Sequence, residues 1–95
     1  SALRIMIVDD NRDAADSLGI VLSTVGHAVR VEDSSLAALR RAGTESFDVY
    51  LLGIGLPELD GYRLAQRLQG LPSAGQAVMI ALSGYGQPQD IAASR

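Results

Sequence analysis

The chain predicts an α/β fold built on an open parallel sheet with helices on both faces. Three observations carry that expectation. Apolar runs of strand length alternate with stretches of helical periodicity along all 95 residues, the runs at 4–8, 48–52 and 77–82 are apolar on both sides as in doubly covered strands, and strand-to-strand crossovers through helices are right-handed. A chain of this size forms one small domain, and no internal repeat or low-complexity segment divides it.

Arg4 to Val8, Arg-Ile-Met-Ile-Val, reads as a central strand with Asp9, Asp10 and Asn11 at its carboxyl end. From Asp13 a first helix follows, with Ala14, Leu18, Val21, Leu22 and Val25 at helical spacing, Asn11 or Arg12 near its start and Gly26 as its stop. Ala28 to Glu32 alternates as an edge strand does. Asp33-Ser34-Ser35 offers cap oxygens to a second helix carrying Leu36, Ala37 and Leu39 and ending at Gly43. Residues 48–52 form the third strand, Gly61 to Gln69 a third helix capped by Asp60, Gly70 to Gln76 a loop, and Ala77 to Leu82 the fourth strand. A last helix is expected from Pro88, where proline suits the first turn and Asp90 the positive end of the dipole.

Composition narrows the function. The apolar fraction of 47% is mainly aliphatic, with one Phe, three Tyr and no Trp, which disfavours a stacking platform for single-stranded nucleic acid. A net charge of −3 argues against nucleic-acid backbones and anionic membranes; Arg40 and Arg41 read as a solvated face, with a local basic patch as the rival. Without cysteine there are no disulfides and no thiolate chemistry, and no apolar run reaches the roughly 20 residues of a membrane span, so the expected location is the cytoplasm.

In open parallel sheets ligands bind beyond the carboxyl ends of the strands. Here those ends carry Asp9 and Asp10, Gly53 and Gly55, and Ser83 with Gly84, and all are expected to converge on one crevice. Two adjacent carboxylates repel unless a cation or hydrogen-bond donors compensate them, which suits Mg²⁺, while capping of the first helix is an equally weighted alternative. Ser83 has the hydroxyl and Gly84 the bare backbone to contact a phosphoryl oxygen, although a Ser-Gly pair after a strand is more often a turn. No dinucleotide or Walker glycine pattern is present. His27 reads as a loop residue, Tyr62 as packing and Tyr85 as a surface contact.

The segments at 4–11, 48–62 and 80–86, Arg-Ile-Met-Ile-Val-Asp-Asp-Asn, Asp-Val-Tyr-Leu-Leu-Gly-Ile-Gly-Leu-Pro-Glu-Leu-Asp-Gly-Tyr and Ile-Ala-Leu-Ser-Gly-Tyr-Gly, together resemble the receiver domain of two-component response regulators and hybrid histidine kinases. The resemblance implies a flavodoxin-like sheet of order 2-1-3-4 in this chain, within a family order of 2-1-3-4-5. It also implies phosphoryl transfer from a histidine kinase or phosphotransfer protein to an Asp at the third strand's end, and coupling to an output domain or protein partner. It places Asp9, Asp10 and the Gly55 carbonyl on Mg²⁺, Ser83 at the switch hydroxyl, and Pro57 and Gly61 in the turn after the acceptor strand.

Two departures accompany it. Gly53 stands where the resemblance puts the phosphoacceptor Asp, so no intact catalytic residue is expected there and Mg²⁺ binding is expected to be weak. Residues 1–95 also stop before the family's fifth strand, lysine, aromatic switch residue and last helix, which implies a receiver incomplete at its carboxyl end. Its fourth strand would be an exposed edge open to pairing with another chain. The leading expectation is a receiver disabled at residue 53 that acts through protein contacts, not itself an enzyme, in a parent that could be a hybrid histidine kinase. The rivals are a normally phosphorylated receiver carrying an engineered or accidental change at residue 53 and, further off, a flavodoxin-like cofactor binder. The cognate kinase, output domain and oligomeric state stay open.

Overall fold

The computed structural model describes residues 2–53, 56, 59–72, 76–82 and 88–90, the last three through their backbone. Its strands are β1 (Arg4–Val8), β2 (Ala28–Glu32), β3 (Val49–Gly53), β4 (Val78–Leu82) and β5 (Pro88–Asp90). The helices α1 (Arg12–Thr24), α2 (Ser35–Ala42) and α3 (Gly61–Gln69) connect the first four strands. The sheet order is β2-β1-β3-β4-β5, and β1 to β4 are parallel. The four parallel strands thus stand in the expected order 2-1-3-4.

Each helix begins where a short polar side chain takes over an orphan backbone donor. Asn11 Oδ1 accepts from the Ala14 N–H at 3.2 Å, Ser34 Oγ from Ala37 at 3.3 Å and Asp60 Oδ1 from Arg63 at 2.9 Å. α1 closes on Val25, and Gly26 then takes φ +101°, a left-handed conformation that only glycine adopts without strain. Gly19 sets how near α1 lies to the sheet: a Cβ there would already touch Val29 and Val31 at 3.4 Å.

The expectation of a helix from Pro88 is corrected. Residues 88–90 form a strand antiparallel to β4, with Leu82 opposite Pro88, Ala81 opposite Gln89 and Ile80 opposite Asp90. Proline suits the first residue of an edge strand as well as the first turn of a helix. A nascent helix pays a nucleation cost before it gains hydrogen bonds, whereas the open rim of β4 offers ready N–H and C=O partners. The same pairing corrects the expectation that the fourth strand is a free edge, since Ile80 to Leu82 are occupied from within the chain.

Alternate residues of each strand point to opposite sides of the sheet. Met6, Val8, Tyr50, Leu52, Met79 and Ala81 meet Ala38 and Ala42 of α2 and Leu64, Ala65 and Leu68 of α3 in one core. Ile5 and Ile7 meet Ala15 on the other side, with Leu18, Leu22, Val29, Val31, Val49, Leu51 and Leu82 partly buried around them. No helix among the described residues is long and apolar enough to cross a membrane.

Candidate functional site

The mouth of the sheet is shaped by how β1 ends. After Val8, the Asp9 N–H donates to the Glu32 carbonyl at 3.1 Å, one step beyond the β1–β2 ladder. The chain then turns, and Asp9 Oδ1 accepts the Asn11 N–H at 2.9 Å, an Asx-type turn that delivers Asn11 to the capping position. Capping and turn-building are therefore divided between two of these three residues. Asn11 caps α1, Asp9 builds the turn with one oxygen, and Asp10 is exposed with no hydrogen bond or ion pair among the described residues.

Nearby positive charge is spent elsewhere. Arg12, two residues past the acidic pair, reaches Asp16 at 3.3 Å and Asp33 at 3.8 Å. Of the two arginines read as a solvated face, Arg41 is committed to Glu32 and Glu45, whose hydrogen bonds push its guanidinium pKa further up, and Arg40 is exposed and without an ion pair among the described residues.

Gly53 is the buried last residue of β3, opposite Leu82 of β4. It lies directly against the acidic turn. A Cβ built on Gly53 would stand 3.3 Å from Asp9 Cγ, 3.3 Å from the Val8 carbonyl oxygen and 3.5 Å from Asp9 Cα. Position 53 and Asp9 are thus neighbours in space. The room for a side chain at position 53 is nevertheless tight, and one wall of it is backbone.

Among the described residues no three His, Cys, Asp or Glu side chains gather as a metal-holding group. The two carboxylates at hand fit a Mg²⁺ ion that keeps most of its water, because carboxylate oxygens retain lone pairs beyond the one Asp9 gives to Asn11. Gly55 and Ser83, and with them Pro57, Gly84 and Tyr85, lie outside the described residues.

Other expectations sort themselves out away from the mouth. His27 sits at the opposite end of the sheet, where its Nδ1 accepts the Leu3 N–H at 3.0 Å. Tyr62, read as packing, is 43% exposed on α3, because the helix turns Leu64, Ala65 and Leu68 to the core instead. The sequence reading missed Ser35. Taken there as one of several cap oxygens, it is fully buried, donates from Oγ to the Leu59 carbonyl at 2.7 Å and accepts the Leu59 N–H at 3.4 Å. The available signal was its phase: Ser35 precedes Ala38 and Ala42 by three and seven residues on the buried side of α2.

The comparisons agree with this geometry. The family model of the response regulator receiver domain matches residues 5–94. A gliding motility regulatory protein of Myxococcus xanthus is 31% identical over 88 residues, covering 93% of this chain and 11% of that protein. The signal transduction histidine-protein kinase BarA of Escherichia coli K12 is 32% identical over 84 residues, covering 88% and 9%. The chain therefore spans about a tenth of the length of these two relatives. Among solved structures, the receiver domain of sensor histidine kinase PA1611 from Pseudomonas aeruginosa PAO1, with magnesium coordinated in its active site cleft, superposes with TM-score 0.79 at 25% identity, covering 87% of this chain and 68% of that one. A CheY-like receiver domain protein from Methanospirillum hungatei JF-1 gives 0.82 at 29%, covering 92% and 68%.

Proposed function

The chain belongs to the response regulator receiver domain family and is a receiver domain of two-component signalling, and from that premise we propose that it works through protein contacts, with phosphoryl acceptance at residue 53 disabled. The observation that carries this reading is Gly53 itself. It ends β3 beside the acidic turn, and it has no side chain with which to attack phosphorus. Its missing side chain is not simply a gap, since Asp9 Cγ and the Val8 carbonyl already close on the place where a Cβ would go.

Asp9 and Asp10 are the residues that would hold Mg²⁺, together with the Gly55 carbonyl. Two carboxylates without a third make a weak site. When bound, Mg²⁺ supplies counter-charge to the acidic pair and to a phosphate oxygen. Asp9 shapes the turn into α1 whether or not the metal is bound, and Ser83 is the switch hydroxyl that has no phosphoryl group to sense. A histidine kinase or phosphotransfer protein and an output domain are the partners this reading implies for residues 1–95 as a receiver unit.

The test is chemical. Incubated with Mg²⁺ and acetyl phosphate, the chain is expected to gain no phosphoryl mass, whereas a hydroxylamine-labile adduct at any residue would overturn the reading. Gly53→Asp, treated in the same way, is expected to become labelled if Asp9 and Asp10 retain the ability to organise Mg²⁺.

A further inference from the structure

Every basic side chain here is an arginine, and most of those described are neutralised within the fold. Arg4 and Arg30 reach Glu45 at 2.9 and 3.8 Å, Arg12 reaches Asp16, and Arg41 bridges Glu32 and Glu45. Arg63 and Arg67 differ, as does Arg40 on α2. Neither Arg63 nor Arg67 forms an ion pair among the described residues, and with Leu59 and Gln66 they line a hollow of about 410 Å³.

Helix stability does not explain the placement of Arg63. It sits in the first turn of α3, just after the cap Asp60, where the helix dipole is positive and disfavours a cation. It also stands four residues from Arg67, and like charges at that spacing repel. Arg67, in the last turn, suits the dipole and alone would read as ordinary capping charge. A solvated helix face is the bland account of the pair, yet it leaves Arg63 facing the dipole and Arg67 with only the capping carboxylate of Asp60 as a nearby anion and no ion pair among the described residues.

The wall of the hollow is fixed in advance. Ser35 holds the Leu59 backbone through both its N–H and its carbonyl, at 3.4 and 2.7 Å, and the Leu59 side chain packs partly buried against the core. Leu36, the next residue along α2 from that clasp, is 47% exposed. Two cations one helical turn apart, beside a partly exposed leucine whose backbone is held in place, are complementary to carboxylates one turn apart on a helix that also bears an apolar residue. Pre-ordering of Leu59 lowers the entropic cost of such an encounter.

We propose that the α3 hollow bounded by Leu59, Arg63, Gln66 and Arg67 is a docking surface for an acidic amphipathic helical segment of a partner protein. The proposal rests on the reading that this domain acts through protein contacts, and it gives that reading a place and a chemistry.

The experiment uses the whole chain and a fluorescein-labelled helical peptide of Leu, Ala and Glu with its glutamates paired at i,i+4, followed by fluorescence anisotropy. Saturable binding is expected, weakening as salt is raised. The double variant Arg63→Glu/Arg67→Glu is expected to bind about tenfold more weakly with an unchanged circular dichroism spectrum, Arg4→Gln to bind as the parent does, and the same peptide with Gln for Glu not to bind. No saturable binding, equal binding by the double variant, or tighter binding of a single-stranded oligonucleotide than of the peptide overturns the proposal. All measurements are made without phosphoryl donor. Acetyl phosphate labelling would therefore count against the Gly53 reading alone, and loss of peptide binding against this surface alone.

Discussion

The two faces of the sheet are made from the same five-residue strands and are filled very differently. Toward α2 and α3, Met6, Val8, Tyr50, Leu52 and Met79 are fully buried. Toward α1, Ile7 is equally buried but Val49, Leu51 and Leu82 are only partly covered and Val78 is 47% exposed. The difference lies in the helices. Among the described residues α1 packs mainly on β1 and β2, whereas α2 and α3 side by side cover the other face from β2 to β4. Among the described residues burial is therefore concentrated on one side, and Leu56, between Gly53 and α3, packs into that same core.

Truncation tests this asymmetry most forcefully. Leu52→Ala on the filled face is expected to lose about 2–5 kcal/mol in urea denaturation, and Leu51→Ala, one residue away on the other face, to lose clearly less. Equal losses would break the comparison. Gly53→Asp, at the end of β3, needs Asp9 and the Val8 carbonyl to give way by a few tenths of an ångström and is expected to cost about 1–3 kcal/mol in the same assay. A neutral or stabilising result would mean that the acidic turn yields freely.

Tyr50 sharpens the picture from the opposite direction. Its hydroxyl is buried without a hydrogen-bond partner among the described residues, so Tyr50→Phe is expected to raise stability by about 1 kcal/mol. Burial also lifts its pKa from 10.0 to about 12. Between those values the unfolded chain has released the phenolic proton and the folded chain still holds it. Stability is therefore expected to fall as pH rises through this window, and Tyr50→Phe to fall less over the same pH-dependent melts. The smallest effect is expected at the rim: Arg41→Gln shifts the urea midpoint least of these variants, and the shift shrinks at high salt.

Most of the architecture was legible because period and punctuation agreed. Asn11, Ser34 and Asp60 announced their helices through residue type alone, and the apolar runs at 4–8 and 77–82 announced buried strands. What those runs could not convey was which face would be filled, since a strand apolar on both sides carries no record of its neighbours. Pro88 was misjudged for a related reason: three residues hold too little periodicity to oppose a vacant strand edge some distance away in the sequence. At the site, the nearness of Asp9 to Gly53 followed from the topology. The division of labour among Asp9, Asp10 and Asn11 did not, because it depends on single hydrogen bonds, and neither did the burial of Ser35, whose tie to Leu59 spans 24 residues.

The edge-to-face contact between Tyr50 and Phe47, with ring centroids 5.5 Å apart, has a spectroscopic consequence. The chain has no tryptophan and three tyrosines, of which Tyr62 is largely in solvent. A phenol ring held at a fixed angle in an apolar, asymmetric setting gives a near-ultraviolet circular dichroism band that a freely rotating ring does not. The band from Tyr50 thus reports the ordering of the filled face without any added label, and it disappears in Tyr50→Phe while the far-ultraviolet signal of the helices remains.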